Sequence, residues 1–130
     1  MKAHEIHIGD WVTRCGKVCQ VVTISAQGYA EVIQDDNLRY AGIDDIGPIP
    51  LTDEILIANG WEQASWVAGL FFMPRKGIFG ENLIIRKMDD GYEFTAFCHE
   101  TALNYVHQFQ QILRLCGYES MTQGFGIISQ

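Results

Sequence analysis

The feature that most constrains this chain is the regular interruption of its first 47 residues. Short runs rich in β-branched and aromatic residues are broken by turn-forming groups about every 8–12 residues. Asp10-Trp11-Val12-Thr13 leads to Gly16-Lys17, and Val18 to Ile24 follows. Gln27-Gly28 marks the next turn, then Tyr29 to Ile33, then Asp35-Asp36-Asn37, then Leu38 to Ala41. A long helix cannot be drawn through such a pattern. Four or five short strands can, and that spacing predicts a small, strongly bent antiparallel barrel.

The opening Ile8-Gly9-Asp10-Trp11-Val12 places a glycine turn before a strand with a large aromatic. Many SH3-like barrels begin this way, a likeness of fold that carries no activity. Pro48-Ile49-Pro50 is extended, because each proline fixes its own φ and restricts its predecessor. Thr52 then caps a short helix, with Asp53 and Glu54 in the first turn, where the dipole favours anions. Asn59-Gly60 ends it, and Trp61 is placed to fold back on Leu56.

More strands are expected from Ser65 to Met73, the most apolar run, and from Glu81 to Met88. Asp89-Asp90-Gly91 joins the latter to Tyr92–Phe97, the strongest hairpin signal in the chain. Tyr92, Phe94 and Ala96 alternate with Glu93 and Thr95, giving one buried and one wet face. A helix is expected from about Thr101 to Cys116. Its apolar side carries Leu103, Val106, Phe109 and Leu113, with Tyr105, Ile112 and Cys116 beside them. Asn104, Gln108, Gln111 and Arg114 fall opposite, and Gly117 stops it. The tail from Ser120 either adds an edge strand or lies loosely.

The expected class is α+β: a small SH3-like antiparallel barrel, a short helix, a curled antiparallel sheet and a long C-terminal packing helix. Residues 1–50 form the barrel lobe and 51–130 the helix–sheet–helix lobe, sharing one core in a single compact domain. With 48% hydrophobic residues the chain can build that core without staples or metal. Sixteen acidic against nine basic residues give a net charge of −7, which repels phosphate backbones. The short pairs Arg75-Lys76 and Arg86-Lys87 do not offset this, so no nucleic-acid partner is expected.

No segment has the roughly 20 apolar residues of a membrane span. The start, MKAHEIHIGD, has one lysine and no apolar run, so it does not read as a secretory signal. A cytoplasmic location is expected, with Cys15, Cys19, Cys98 and Cys116 reduced.

Several residues invite chemistry. Cys15 and Cys19 have half of a zinc-site spacing, and face each other if the Gly16-Lys17 turn is tight. The remaining thiols supply no matching pair, so small core residues are the preferred reading and no cofactor is expected. His4 and His7 flank the first strand and read as a frayed terminus. His99-Glu100 has the makings of a general base with a carboxylate, yet a solvated cap region suits it better. His107 sits on the helix flank near Tyr105, Gln108 and Gln111; a hydrogen bond at the helix seam is its ordinary use. There is no phosphate loop, serine elbow or HExxH. Asp35-Asp36, Asp44-Asp45 and Asp89-Asp90 are turn residues.

Three blocks, "IHIGDWV", "IGPIPLTDEILIANGWE" and "LNYVHQFQQILRLCGYE", stand in this order. Together they resemble a family of small uncharacterised proteins of Bacteroidetes genomes and their phages or mobile elements. The family pattern runs R-x-G-N-W-V, then P-I-P-L-T-E-E-x-L-x-x-x-G-F, then Y-V-H-Q-L-Q-N-L-Y-x-x-L-T-G. Asp10 stands where the pattern has asparagine, Trp61 where it has phenylalanine, and Phe109 where it has leucine. Arg114-Leu115-Cys116 departs from its small or polar helix end. The resemblance implies a fold and a genomic setting and brings no catalytic residues. It does single out Tyr105, His107 and Gln108 as a structural lock, the histidine and glutamine bonding to the Pro48–Thr52 segment.

Two functional classes follow. One is a non-enzymatic interaction module, an accessory or host-modulating protein, holding a protein partner through Trp66, Phe71, Phe72 and Phe79. The other is a small hydrolase or metal-dependent enzyme using His99, Glu100 and His107. Homo-oligomerisation is left open by the sequence.

Overall fold

A computed structural model describes residues 5–73, 83–96 and 99–115. The chain divides into two compact units. Of the described residues, one comprises 5–50 together with Tyr105–Gln111; the other comprises those within Leu51–Asn104 together with 112–115.

The first unit is a five-stranded antiparallel sheet in the order β4-β3-β2-β1-β5. Its strands are β1 (Trp11–Arg14), β2 (Lys17–Ile24), β3 (Tyr29–Gln34), β4 (Asn37–Gly42) and β5 (Ile46–Gly47). β1 and β2 are joined by Cys15-Gly16, since Arg14 pairs with Lys17. The tight turn is thus one residue earlier than the Gly16-Lys17 expected. β3 and β4 are joined by Asp35-Asp36, which adopt φ of 52° and 63°. Positive φ at both central residues is the hairpin turn whose twist matches the strands. Aspartate accepts this region better than most residues because its short side chain bonds locally.

Alternation along these strands buries one face. Val12, Cys19, Val21, Ala30, Val32 and Ala41 form its core with Ile6, Ile43 and Ile46. Each large aliphatic side chain there contributes about 1.5–3 kcal/mol of gross burial energy. A register shift between Val21 and Thr23 bends β2. The described ladder ends at β4 on one side and at β5 on the other, so the sheet is not a closed barrel. β5 has only two residues and pairs only with β1.

The second unit holds α1 (Asp53–Ala58) and a second antiparallel sheet, order β10-β9-β8-β7-β6. Thr52 Oγ1 accepts from the Ile55 amide at 3.3 Å, the N-cap read from the sequence. Gly60 takes φ +94°, the Gly60 amide donates to Ile57 O at 3.2 Å, and the Trp61 amide donates to Leu56 O at 3.1 Å. That pair of bonds is the Schellman ending, and it turns Trp61 into the interior, where it is 2% exposed.

The strands are β6 (Glu62–Gln63), β7 (Leu70–Phe72), β8 (Ile84–Met88), β9 (Gly91–Ala96) and β10 (His99–Leu103). Trp61 meets Phe94 edge-on at 6.3 Å, and Phe71 meets Tyr92 at 6.4 Å. Tyr92 and Phe94 are buried while Glu93 and Thr95 are partly exposed, as the alternation requires.

Two expectations need correction. The apolar run from Ser65 is a strand only at Leu70–Phe72, and Ser65–Gly69 is the connection from β6. Gly69, at φ +76°, still accepts from the Lys87 amide at 2.7 Å but turns the chain away from strand geometry, and Trp66 and Val67 before it are exposed. The second helix, α2, runs from Val106 to Leu115 rather than from Thr101. Residues 99–103 instead pair with β9 through five register positions, from His99↔Ala96 to Leu103↔Tyr92. A continuous ladder satisfies the backbone of both strands, which outweighs the weak helical periodicity before Tyr105. Within α2, Val106, Phe109 and Leu113 are fully buried.

Candidate functional site

The densest polar arrangement is in the first unit, where the start of α2 grips the segment from Glu5 to Trp11. Gln108 Oε1 accepts from the Tyr105 amide at 3.2 Å and so caps its own helix. The Val106 amide donates to Ile49 O at 2.9 Å, and Tyr105 forms a bridge with Pro50. Gln110 is fully buried. Its Oε1 accepts from the Trp11 amide at 2.8 Å and its Nε2 donates to Gly9 O at 3.1 Å. Gly9 O also receives Gln20 Nε2 at 3.0 Å.

Gln111 Nε2 donates to Glu5 O at 2.9 Å and to Asp10 Oδ2 at 2.7 Å. Asp10 is fully buried, and the same carboxylate oxygen accepts from the His7 amide at 2.8 Å. His7 Nδ1 stands 4.0 Å from it. The carboxylate is therefore held by donors, as a buried charge must be. Two consecutive glutamines thus bond to backbone groups of the β1 approach at Glu5, Gly9 and Trp11.

His107 lies beside this network and is 4% exposed. Its ring stacks on Tyr105 with centroids 5.8 Å apart and planes 12° from parallel. Its Nδ1 is buried with no hydrogen-bond partner among the described residues. Burial lowers its pKa below the ordinary histidine value; Asp10 and Glu5 partly restore it, and His7 lowers it further. The imidazole is thus held neutral at pH 7. Of the lock residues, Gln108 bonds within its own helix turn and His107 packs, and the Val106 backbone makes the bond to Ile49.

In the second unit an open cleft of about 400 Å³ is lined by Thr52, Asp53, Glu54, Lys87, Asp89 and Tyr92 among others. The Tyr92 hydroxyl donates a very short hydrogen bond to Asp53 Oδ1. Lys87 Nζ is 3.1 Å from Asp53 Oδ2. Burial, then the bond to Asp53, pushes the Tyr92 phenol well above its ordinary range, so it remains a donor. The three groups satisfy one another and pin the first turn of α1 to the β8–β9 hairpin.

His99 and Glu100 stand on β10, not at a helix start. They belong to the second unit and His107 to the first. Cys15 is exposed in its turn, while Cys19 is buried on β2 opposite Val12, so they are not a facing pair. Burial, opposed in part by Arg14, pushes the Cys19 thiol up to about 11. Among the described residues no group of three or more His, Cys, Asp or Glu is placed to hold a metal ion. His4, Phe79, Cys98 and Cys116 lie outside the described residues.

Trp66 is 70% exposed and Phe72 is partly exposed, with ring centroids 5.8 Å apart. Phe71, by contrast, is fully buried: on β7 it points inward between Leu70 and Phe72. It belongs to the core of the sheet and not to a partner surface.

Asp10, Gln110 and Gln111 carry the first unit's network; in the sequence Asp10 stands out only as a departure from a pattern and Gln111 only as a polar-stripe residue, and Gln110 was not singled out. The signal for Gln110 was present, for it lies four residues after Val106 and three before Leu113, inside the apolar stripe of α2. A glutamine in such a stripe must find partners for both amide atoms. No family model, no curated protein and no solved structure matches this chain. No helix among the described residues is long and apolar enough to cross a membrane.

Proposed function

We propose that this chain is a non-enzymatic interaction module that holds a protein partner, an accessory or host-modulating protein of a phage or mobile element. It works in the cytoplasm, and its first unit is an open relative of an SH3-like barrel. The observation that carries the partner reading is Trp66. An indole 70% exposed, beside Val67 at 47% and in tilted contact with the Phe72 ring, is a large apolar surface kept in water. Such residues are the usual anchors of protein interfaces. The genomic setting rests on the three sequence blocks alone. The catalytic alternative through His99, Glu100 and His107 has no observation in its favour.

The test is capture from a lysate of the source cell with the tagged full chain and its Trp66→Ser variant. One protein retained by the parent in near-equal amount, and reduced about tenfold or more by the variant, supports the reading. Equal capture by both chains, or none by either, overturns it.

A further inference from the structure

Strand β4 leaves one edge of the first sheet open. It is the terminal strand among those described, six residues long, and pairs with β3 without a register shift. The pair Gln34↔Asn37 closes a two-residue turn. The closing pair of such a hairpin exchanges backbone hydrogen bonds, and bonded pairs then alternate with non-bonded ones. Asn37, Arg39 and Ala41 therefore bond to β3, while Leu38 and Tyr40 direct their N–H and C=O groups to the open edge.

The same two residues have exposed side chains, Leu38 at 50% and Tyr40 at 72%. On the same face of β3, Ile33 stands opposite Leu38 at 38% exposure and Tyr29 is 56% exposed, with Glu31 between them opposite Tyr40 and accepting from Thr23 Oγ1 at 2.8 Å. Arg39 projects to the other side, is exposed, and takes part in none of the ion pairs found among the described residues. Edge strands are commonly guarded by charged side chains, lysine above all, by proline or by a bulge. β4 has no lysine, proline or bulge; its single charge is Arg39, on the same face as the buried Ala41, and an acidic partner residue would neutralise it.

We propose that β4 takes up an extended segment of a partner protein as an additional antiparallel strand. The segment carries two apolar residues flanking an acidic one. Its apolar side chains lie against Leu38 and Tyr40, and its carboxylate opposes Arg39, a favourable cross-strand pair. This rests on the interaction reading and names a second surface for it. A second copy of the chain is the poorer occupant. Antiparallel pairing that sets Leu38 against Tyr40 in both directions places Arg39 against Arg39. Sliding by two residues removes that repulsion but leaves Leu38 opposite Gly42 in one direction and Tyr40 opposite Asp36, a turn residue, in the other.

The test is an amide-resolved NMR titration of the full chain with the synthetic peptide TSTVEVTST. Saturable shifts at Leu38 and Tyr40, with slowed exchange of those two amides, are expected. Arg39→Glu should weaken binding about three- to tenfold and reverse the preference toward TSTVKVTST. A peptide N-methylated on its edge-facing amides should not bind. Absence of binding, or binding indifferent to both the charge swap and N-methylation, overturns the proposal. So does a concentration-dependent dimer that protects the same two amides without peptide. If Trp66-dependent capture persists while the peptide fails, the edge assignment is wrong and the interaction reading stands; loss of both removes the reading itself.

Discussion

The imidazole of His107 is the residue whose environment has the clearest consequence in solution. Its folded pKa is lowered, first by burial, and its Nδ1 has no hydrogen bond among the described residues to stabilise added charge. A base whose pKa is lower when folded binds fewer protons in the folded state between the two values. Its contribution to stability is therefore complete above the unfolded value, near 6.5, and is lost as pH falls through the folded value. Urea midpoints measured from about pH 7.5 to about pH 5 should fall toward acid. The His107→Asn variant should show a shallower fall over the same window. The other three histidines are common to both proteins, so the difference between the two curves isolates His107. Identical slopes would mean that the buried ring does not experience the desolvation assigned to it. The sequence made His107 conspicuous but not its burial, because a histidine flanking a polar stripe looks the same whether a neighbouring segment covers it or not.

Elements were most legible where their signals were local. The Thr52 cap and the Gly60 ending each depend on a few adjacent residues and are where those residues placed them. The second hairpin is present, but its turn is one residue earlier than the Asp-Gly signal: Met88 pairs with Gly91, so Asp89-Asp90 form the turn and Gly91 opens β9. Where the deciding bonds were distant, the reading slipped. β10 displaced the expected start of the helix because β9 needed a partner, and nothing within residues 99–105 announces β9. Gly91 lies at that pairing. It has φ +152°, and an added Cβ would stand 3.0 Å from Leu103 O and run into the Asn104 carboxamide. That carboxamide, with its nitrogen toward the hairpin, donates to Asp90 O at 3.0 Å and to Leu103 O at 3.3 Å. Gly91→Ala should therefore cost about 1–3 kcal/mol beyond the backbone strain alone. Gly28→Ala supplies the comparison, since Gly28 has φ +90° and nothing within 4 Å of the added atom. Equal losses of urea midpoint in the two variants would show that the contact with β10 is not made.

At the scale of the whole chain, the α+β class could be read from composition and periodicity, because burial of alternate residues is an average property of many positions. Closure of the first sheet could not. Whether β4 and β5 meet depends on how twist and the β2 bend accumulate across five strands, and no single residue encodes it. The same contrast between averaged and particular information bears on Phe109. Phe109 is fully exposed to protein and not at all to solvent, in a helix that also carries the buried Gln110. Phe109→Ala should then cost about 3–5 kcal/mol, a large part of the roughly 5–15 kcal/mol that a domain of ordinary stability has. Phe109→Leu keeps most of the volume and should cost less than about 1.5 kcal/mol. If chemical denaturation gave both variants the same large loss, the ring itself would be needed, and the position would have a role beyond filling space. If both were neutral, α2 would not be the packing helix that its apolar stripe describes.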